Sequence, residues 1–172
     1  NEAILKEGVY YADNVLFLLR GKAGIKLHKY DGAISDLSRF LSENNYYKTN
    51  QNEAHLLRAT AYLKIGELDK SQFDAEESDD EQLIINVLKA QNILKAAISA
   101  EINQDFMTAF KFYSELITIC PYCSTFLRKT TDIALSNNEY STQYVQILSN
   151  LINEYPENNI LFIQRANTYQ KL

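Results

Sequence analysis

Cys120 and Cys123, separated by Pro121 and Tyr122, form the one motif in this sequence whose residue types and spacing carry chemical potential. A CxxC pair serves as a redox couple, as half of a zinc site, or as a small disulfide. Structural zinc needs two further ligands, but no second pair exists, and His28 and His55 lie in other repeats. Thioredoxin-like use wants a strand before the pair and a helix beginning at its first Cys. The flanking periodicity instead places this pair at a helix–turn–helix corner. Two half-buried free thiols, or a disulfide in an oxidising compartment, are the readings left, and free thiols are favoured. The run Glu76-Glu77-Ser78-Asp79-Asp80-Glu81 could chelate Ca²⁺. At a helix start, however, its side chains point around the axis, so it reads as a solvated N-terminus. His28 reads as the end of a helix and His55 as an early residue of another. No Ser-His-Asp arrangement, phosphate-cradling Gly loop or HExxH pattern is present, so the expectation is a non-enzyme with no cofactor and no metal.

The elements that must position these residues are helices. Only 5 Gly and 2 Pro occur in 172 residues, too few to turn the strands of a sandwich or barrel. Apolar residues recur at three and four positions almost throughout, which predicts helices near 10–28, 31–43, 52–65, 68–77, 80–103, 105–119, 122–136, 140–154 and 158–171. Asp31-Gly32 and Gly66 break the pattern, Ser78-Asp79-Asp80 caps the next helix, and Pro121 and Pro156 fix φ just past two helix ends. The aperiodic stretch from Ser42 to Asn52 predicts a loop that Tyr46 and Tyr47 cover. Net charge is −5, from 17 basic against 22 acidic residues, which argues against a nucleic-acid partner. No apolar run approaches the roughly 18 residues of a membrane span, so no membrane partner is expected. The chain opens at Asn1 without Met and without a signal peptide, and is expected to be an internal piece of a longer protein.

Paired helices call for a repeat search. Leu19-Arg20-Gly21 through Tyr30, Ala33 and Leu37 matches Leu57-Arg58-Ala59 with Tyr62 and Gly66. A third segment runs from Ala97 through Phe106, Ala109, Tyr113 and Pro121, and a fourth from Leu127 through Leu148 and Leu151 to Pro156. Gln164-Arg165-Ala166 with Tyr169 opens a half-repeat. The small residues Gly21, Ala59, Ala97 and Ala166 let paired helices approach, while Leu37, Tyr113 and Leu148 wedge against the next repeat. Thr131 departs from the small-residue pattern. On these residues the chain resembles the tetratricopeptide (TPR) repeat, which implies an all-α fold: an α-solenoid of helix–turn–helix repeats in a right-handed superhelix. Residues 1–172 form one array, with a first subdomain over 10–78, a long connecting helix over 79–103 and a second subdomain over 104–172.

TPR arrays bind peptides or proteins on the face lined by the first helix of each pair. The resemblance places there Val15, Leu18, Leu19, Lys22, Ile25 and Lys26, then Leu56, Leu57, Thr60, Leu63 and Lys64. That stripe is apolar with Lys at its edge, suited to an extended hydrophobic segment with acidic groups beside it. TPR domains that grip the C-terminal carboxylate of chaperones use Asn where this chain has Lys22 and Leu57, so that clamp is absent. The dividing helix Asp79–Ile102, and Leu116-Ile117-Thr118-Ile119-Cys120 followed by Phe126-Leu127-Arg128, are similar to the ER-lumenal TPR–J-domain co-chaperones of the kinase-inhibitor type. That resemblance implies unfolded clients as partners, delivery to the lumenal seventy-kilodalton chaperone through a J domain outside this chain, and location in the ER lumen. The alternative is a TPR scaffold holding one specific partner in a multiprotein complex, in cytoplasm or nucleus.

Overall fold

The computed structural model describes the backbone of residues 2–42 and 48–172, and the side chains of residues 14–42 and 50–172. The expected cover of a loop by Tyr46 and Tyr47 lies outside the described residues. Among those residues all regular structure is helical: α1 (Glu2–Lys26), α2 (Tyr30–Ser42), α3 (Lys48–Ile65), α4 (Leu68–Glu77), α5 (Glu81–Ile102), α6 (Phe106–Ile119), α7 (Ser124–Ala134), α8 (Asn138–Glu154) and α9 (Asn159–Tyr169). The periodicity placed each of these, although α1 starts eight residues earlier than predicted and α3 four.

The helix ends have local causes. Gly66 has φ +83°, the left-handed conformation that ends α3. His28 does the same for α1 at φ 55°, a conformation less comfortable for a side chain with a Cβ, and the Lys29 N–H returns to Gly24 O at 2.8 Å. Asp80 accepts from the Leu83 N–H at 2.7 Å and so caps α5, while Asp105, Asn137 and Asn158 cap α6, α8 and α9.

The chain divides into two compact units, one of residues 1–63 and 67–87, the other of residues 64–66 and 88–172. The boundary at Val87/Leu88 falls inside α5. In the first unit α1 packs on α2 around a cluster of Leu18, Leu37, Phe40 and Ala54, against which Phe17, Leu41 and Leu57 lean. Gly21 is what allows this. A Cβ there would come within 2.7 Å of Leu37 Cγ, so only glycine admits the wedge. Ala59 and Ala97 are likewise fully buried. Ala166 is exposed, because none of the described helices packs on that side of α9.

In the second unit, α6–α7 and α8–α9 pair around Leu116, Ile117, Leu127, Tyr144, Leu148 and Leu161, all fully buried. Phe110 stacks on Tyr140 at 5.0 Å and meets Tyr144 edge-on at 6.4 Å. Thr131, the departure from the repeat pattern, is buried with its hydroxyl within bonding distance of Leu127 O (2.9 Å), Tyr144 OH (3.1 Å) and Gln164 Oε1 (2.8 Å). A polar residue is tolerated there because three elements satisfy it.

One expectation needs correction. By length and composition alone, α5 is apolar enough to cross a membrane, with mean hydropathy 1.2 over its best window. Its buried positions Leu83, Val87, Ala90, Ile93, Ala97 and Ala100 recur at three and four, so one stripe of α5 faces the core, while Ile85, Leu88, Ile98 and Ile102 stand exposed outside that stripe.

Candidate functional site

The face assigned to partner binding runs along α1 and α3, and the structure divides its residues. Val15, Ile25 and Leu56 are half-buried, Leu19 is 55% exposed, and Lys26 is exposed. Leu18 and Leu63 belong to the core, and Leu57 packs against the Leu18 cluster. The reason is local: Gly21 draws α2 close, and Leu18, one turn before it, is pulled into the α1–α2 interface. The charged and polar members are also engaged. Lys22 pairs with Glu53, and the Thr60 hydroxyl donates to Leu56 O at 2.8 Å. Lys64, in the second unit, donates to Tyr155 OH at 3.2 Å and lies 5.6 Å from that ring's centroid. What this face leaves open in the first unit is a narrower apolar strip of Val15, Leu19, Ile25 and Leu56.

Two ion pairs tie the helix hairpins of the first unit. Arg20 Nε donates to Asp36 at 2.6 Å. Thirty-eight residues on, Arg58 donates to Asp74 through Nε and Nη2, both at 2.7 Å, and His55 Nδ1 lies 2.7 Å from the same carboxylate. Arg58 also reaches Ser38 Oγ at 3.1 Å. Asp74 is 1% exposed. Burial opposes the Arg58 charge, but the bonds to Asp74 outweigh it and hold the guanidinium above its ordinary pKa. The two pairs share a sixteen-residue separation and the repeat's thirty-eight-residue spacing. Aligning Arg20 with Arg58 and Asp36 with Asp74 would have found both from sequence.

Cys120 and Cys123 are free thiols, both buried. Burial first, then the neighbouring Cys123, pushes the Cys120 thiol up to about 12, against a lowering influence from Lys64. A neutral thiol out of water is a poor nucleophile and a poor metal ligand. The corner is structural: the Tyr122 N–H donates to Lys64 O at 3.1 Å, and Asn158 Nδ2 donates to Pro121 O at 2.9 Å. Cys123 fills the space left by Gly66, where a Cβ would sit 2.5 Å from its sulfur. Among the described residues no three His, Cys, Asp or Glu side chains cluster to hold a metal.

Sequence reading missed a groove of about 580 Å³ at the α1–α2 hairpin, lined by Leu16, Phe17, Leu19, Arg20 and Arg39. Arg39 lies 4.4 Å and Arg20 5.5 Å from the Phe17 ring centroid. An aromatic at Phe17 with Arg20 one turn later was the only sequence signal. Arg39 arrives from α2, which periodicity within one helix does not report.

No family model matches the chain, and no curated protein matches it. A solved structure does: the TPR domain of P58(IPK), with a TM-score of 0.56 and 21% identity, over 91% of this chain. The chain spans 46% of that structure's length. This likeness concerns the fold, and with the nine described helices it makes the architecture an all-α array of TPR helix–turn–helix repeats.

Proposed function

We propose that this chain is a non-catalytic interaction module that holds extended apolar polypeptide segments, as the TPR part of a J-domain co-chaperone in the ER lumen. The observation carrying the reading is the accessible apolar strip that this face keeps in the first unit: Leu19 exposed, with Val15, Ile25 and Leu56 half-buried. Apolar side chains left in water gain free energy when a partner covers them. The sequence resemblance to TPR–J-domain co-chaperones and the fold likeness to the TPR domain of P58(IPK) support the same direction. Unfolded clients, and a lumenal seventy-kilodalton chaperone reached through a J domain outside this chain, are the partners of this reading.

Aggregation of chemically denatured citrate synthase, followed by light scattering, tests it. The parent chain slows aggregation, and Leu56→Ser with Leu19→Ser weakens the effect while the far-UV spectrum stays helical. Equal protection by parent and double variant removes the strip from the function. Leu18 and Leu57 are unsuitable test positions because their loss opens the core. A second reading, a scaffold for one specific partner, is favoured by one observation: Lys22 is already paired with Glu53 and Leu18 is buried, so the trough is less greasy than a general client binder requires. It predicts one tight partner and no protection of citrate synthase.

A further inference from the structure

The groove at the α1–α2 hairpin brings exposed apolar side chains together with a positive charge that, among the described residues, no carboxylate pairs with. Leu16 and Leu19 are 59% and 55% exposed and stand three positions apart, on one stripe of α1. Phe17 carries Arg39 over its face. The contrast between the two arginines decides what the groove selects. Arg20 is closed by two bonds to Asp36. Arg39 stacks on the ring, and among the described residues no carboxylate pairs with it. A stacked guanidinium is held in place by its face and keeps its N–H edge for a fork-shaped acceptor. A purely apolar segment would leave that edge unused, and a free anion would leave Leu16 and Leu19 in water.

We propose that this groove takes an extended polypeptide segment in which a carboxylate side chain stands beside a Leu- or Phe-sized one. The carboxylate seats on Arg39 and the apolar side chain on Leu16 and Leu19. Charge complementarity favours this occupant: a chain of net charge −5 repels an acidic segment over most of its surface, so the stacked Arg39 marks where such a segment is welcome. The inference rests on the reading of the chain as a binder of extended polypeptides. It narrows that reading to acidic–apolar segments and to the α1–α2 groove.

The experiment is fluorescence anisotropy of a short fluorescein-labelled peptide alternating Leu and Glu, titrated with the full chain, beside a peptide carrying Gln for every Glu. The Glu peptide binds at least about tenfold more tightly than the Gln peptide, the scale of a charge-assisted bond. Arg39→Glu removes that preference without changing the helical spectrum, since Arg39 is exposed, and Leu19→Ser weakens both peptides. Equal affinity for the two peptides, or an unchanged preference in Arg39→Glu, overturns the proposal. So does binding to phosphatidylserine vesicles that depends on Arg39 and displaces the peptide, which would assign the groove to a lipid headgroup. If citrate synthase is protected but the peptides are not distinguished, this inference falls and the broader reading stands. If neither is bound, both fall.

Discussion

The two units build similar hairpins with different chemistry. In the first, α1 is tied to α2 and α3 to α4 by an arginine on the leading helix and an aspartate sixteen residues on. In the second, the positions thirty-eight residues beyond Arg58 and Asp74 hold Ala96 and Phe112, so no buried arginine–aspartate tie recurs there; its ion pairs, Lys89–Glu115 and Lys129–Glu101, join side chains that stay partly in water. Its helices are held by Phe110, Tyr140 and Tyr144 and by hydroxyl bonds around Thr131. The hairpins therefore share a closely packed crossing, made by Gly21, Ala59 and Ala97 and by Thr131 where its hydroxyl is satisfied. The tie beyond that is free to vary. At the rim of the first unit Arg39 stacks on Phe17, and among the described residues no carboxylate pairs with it. Aromatic packing uses its rings internally, and what the second unit leaves exposed is apolar instead, with Ile102, Phe106, Met107 and Ile163 in water.

The largest effects should come from cutting the central tie of each unit. Tyr144→Ala removes a fully buried ring and its hydroxyl bond to Leu127 O, and should cost about 4 kcal/mol. Asp74→Ala leaves Arg58 and His55 facing an empty site. It should cost about 3 kcal/mol, at the lower end for a broken buried pair because both partners keep some contact with water. Urea unfolding of each variant reads both losses. Only the second should shrink when Arg58→Met is added, because the stranded charge is then gone. Equal rescue in both would mean the contrast between ionic and aromatic ties is wrong.

Gly66→Ala tests the joint at the cysteine corner. The residue is left-handed, and its new Cβ would press on Cys123 Cβ at 2.8 Å as well as on the sulfur. A loss of about 2 kcal/mol is expected, from strain and crowding together. Cys123→Ala should recover the crowding part and leave the strain, which thermal unfolding of the double variant measures.

The smallest effect is electrostatic. Hydrogen bonds from Lys129 and then Tyr113 hold Glu101 below its usual value of 4.5, and burial followed by the bond to Glu101 holds the Tyr113 phenol above 10.0. A depressed carboxylate contributes stability above its unfolded value that is lost as pH falls through the folded one. A raised phenol contributes stability below its unfolded value that is lost as pH rises through the folded one. The second unit should therefore be most stable between about pH 5 and 9. Glu101→Gln should flatten the acid limb by less than about 1 kcal/mol, since both Glu101 and Lys129 are partly in water. Urea midpoints across pH check it.

Much of the fold was legible in the sequence because helix boundaries are local: Gly66, Asp80, Pro121 and Pro156 act through their own φ or their own side chain within a turn. The face toward a partner was only half legible. Leu18 and Leu56 look alike on a helical wheel, yet one is core and the other half-open, and the difference is made by α2 closing over Gly21. Arg39 was invisible for the converse reason, since its meaning depends on Phe17 of another helix.

The sequence alone determined that this chain is a string of short helical pairs with small residues at their crossings, because periodicity, capping and the scarcity of Gly and Pro act over a few residues at a time. Only the tertiary structure decided which apolar side chains are spent inside, which charges are tied, and that the cysteines are a buried joint. Those outcomes depend on which helix arrives over which face, and that is fixed by packing between residues far apart in the chain.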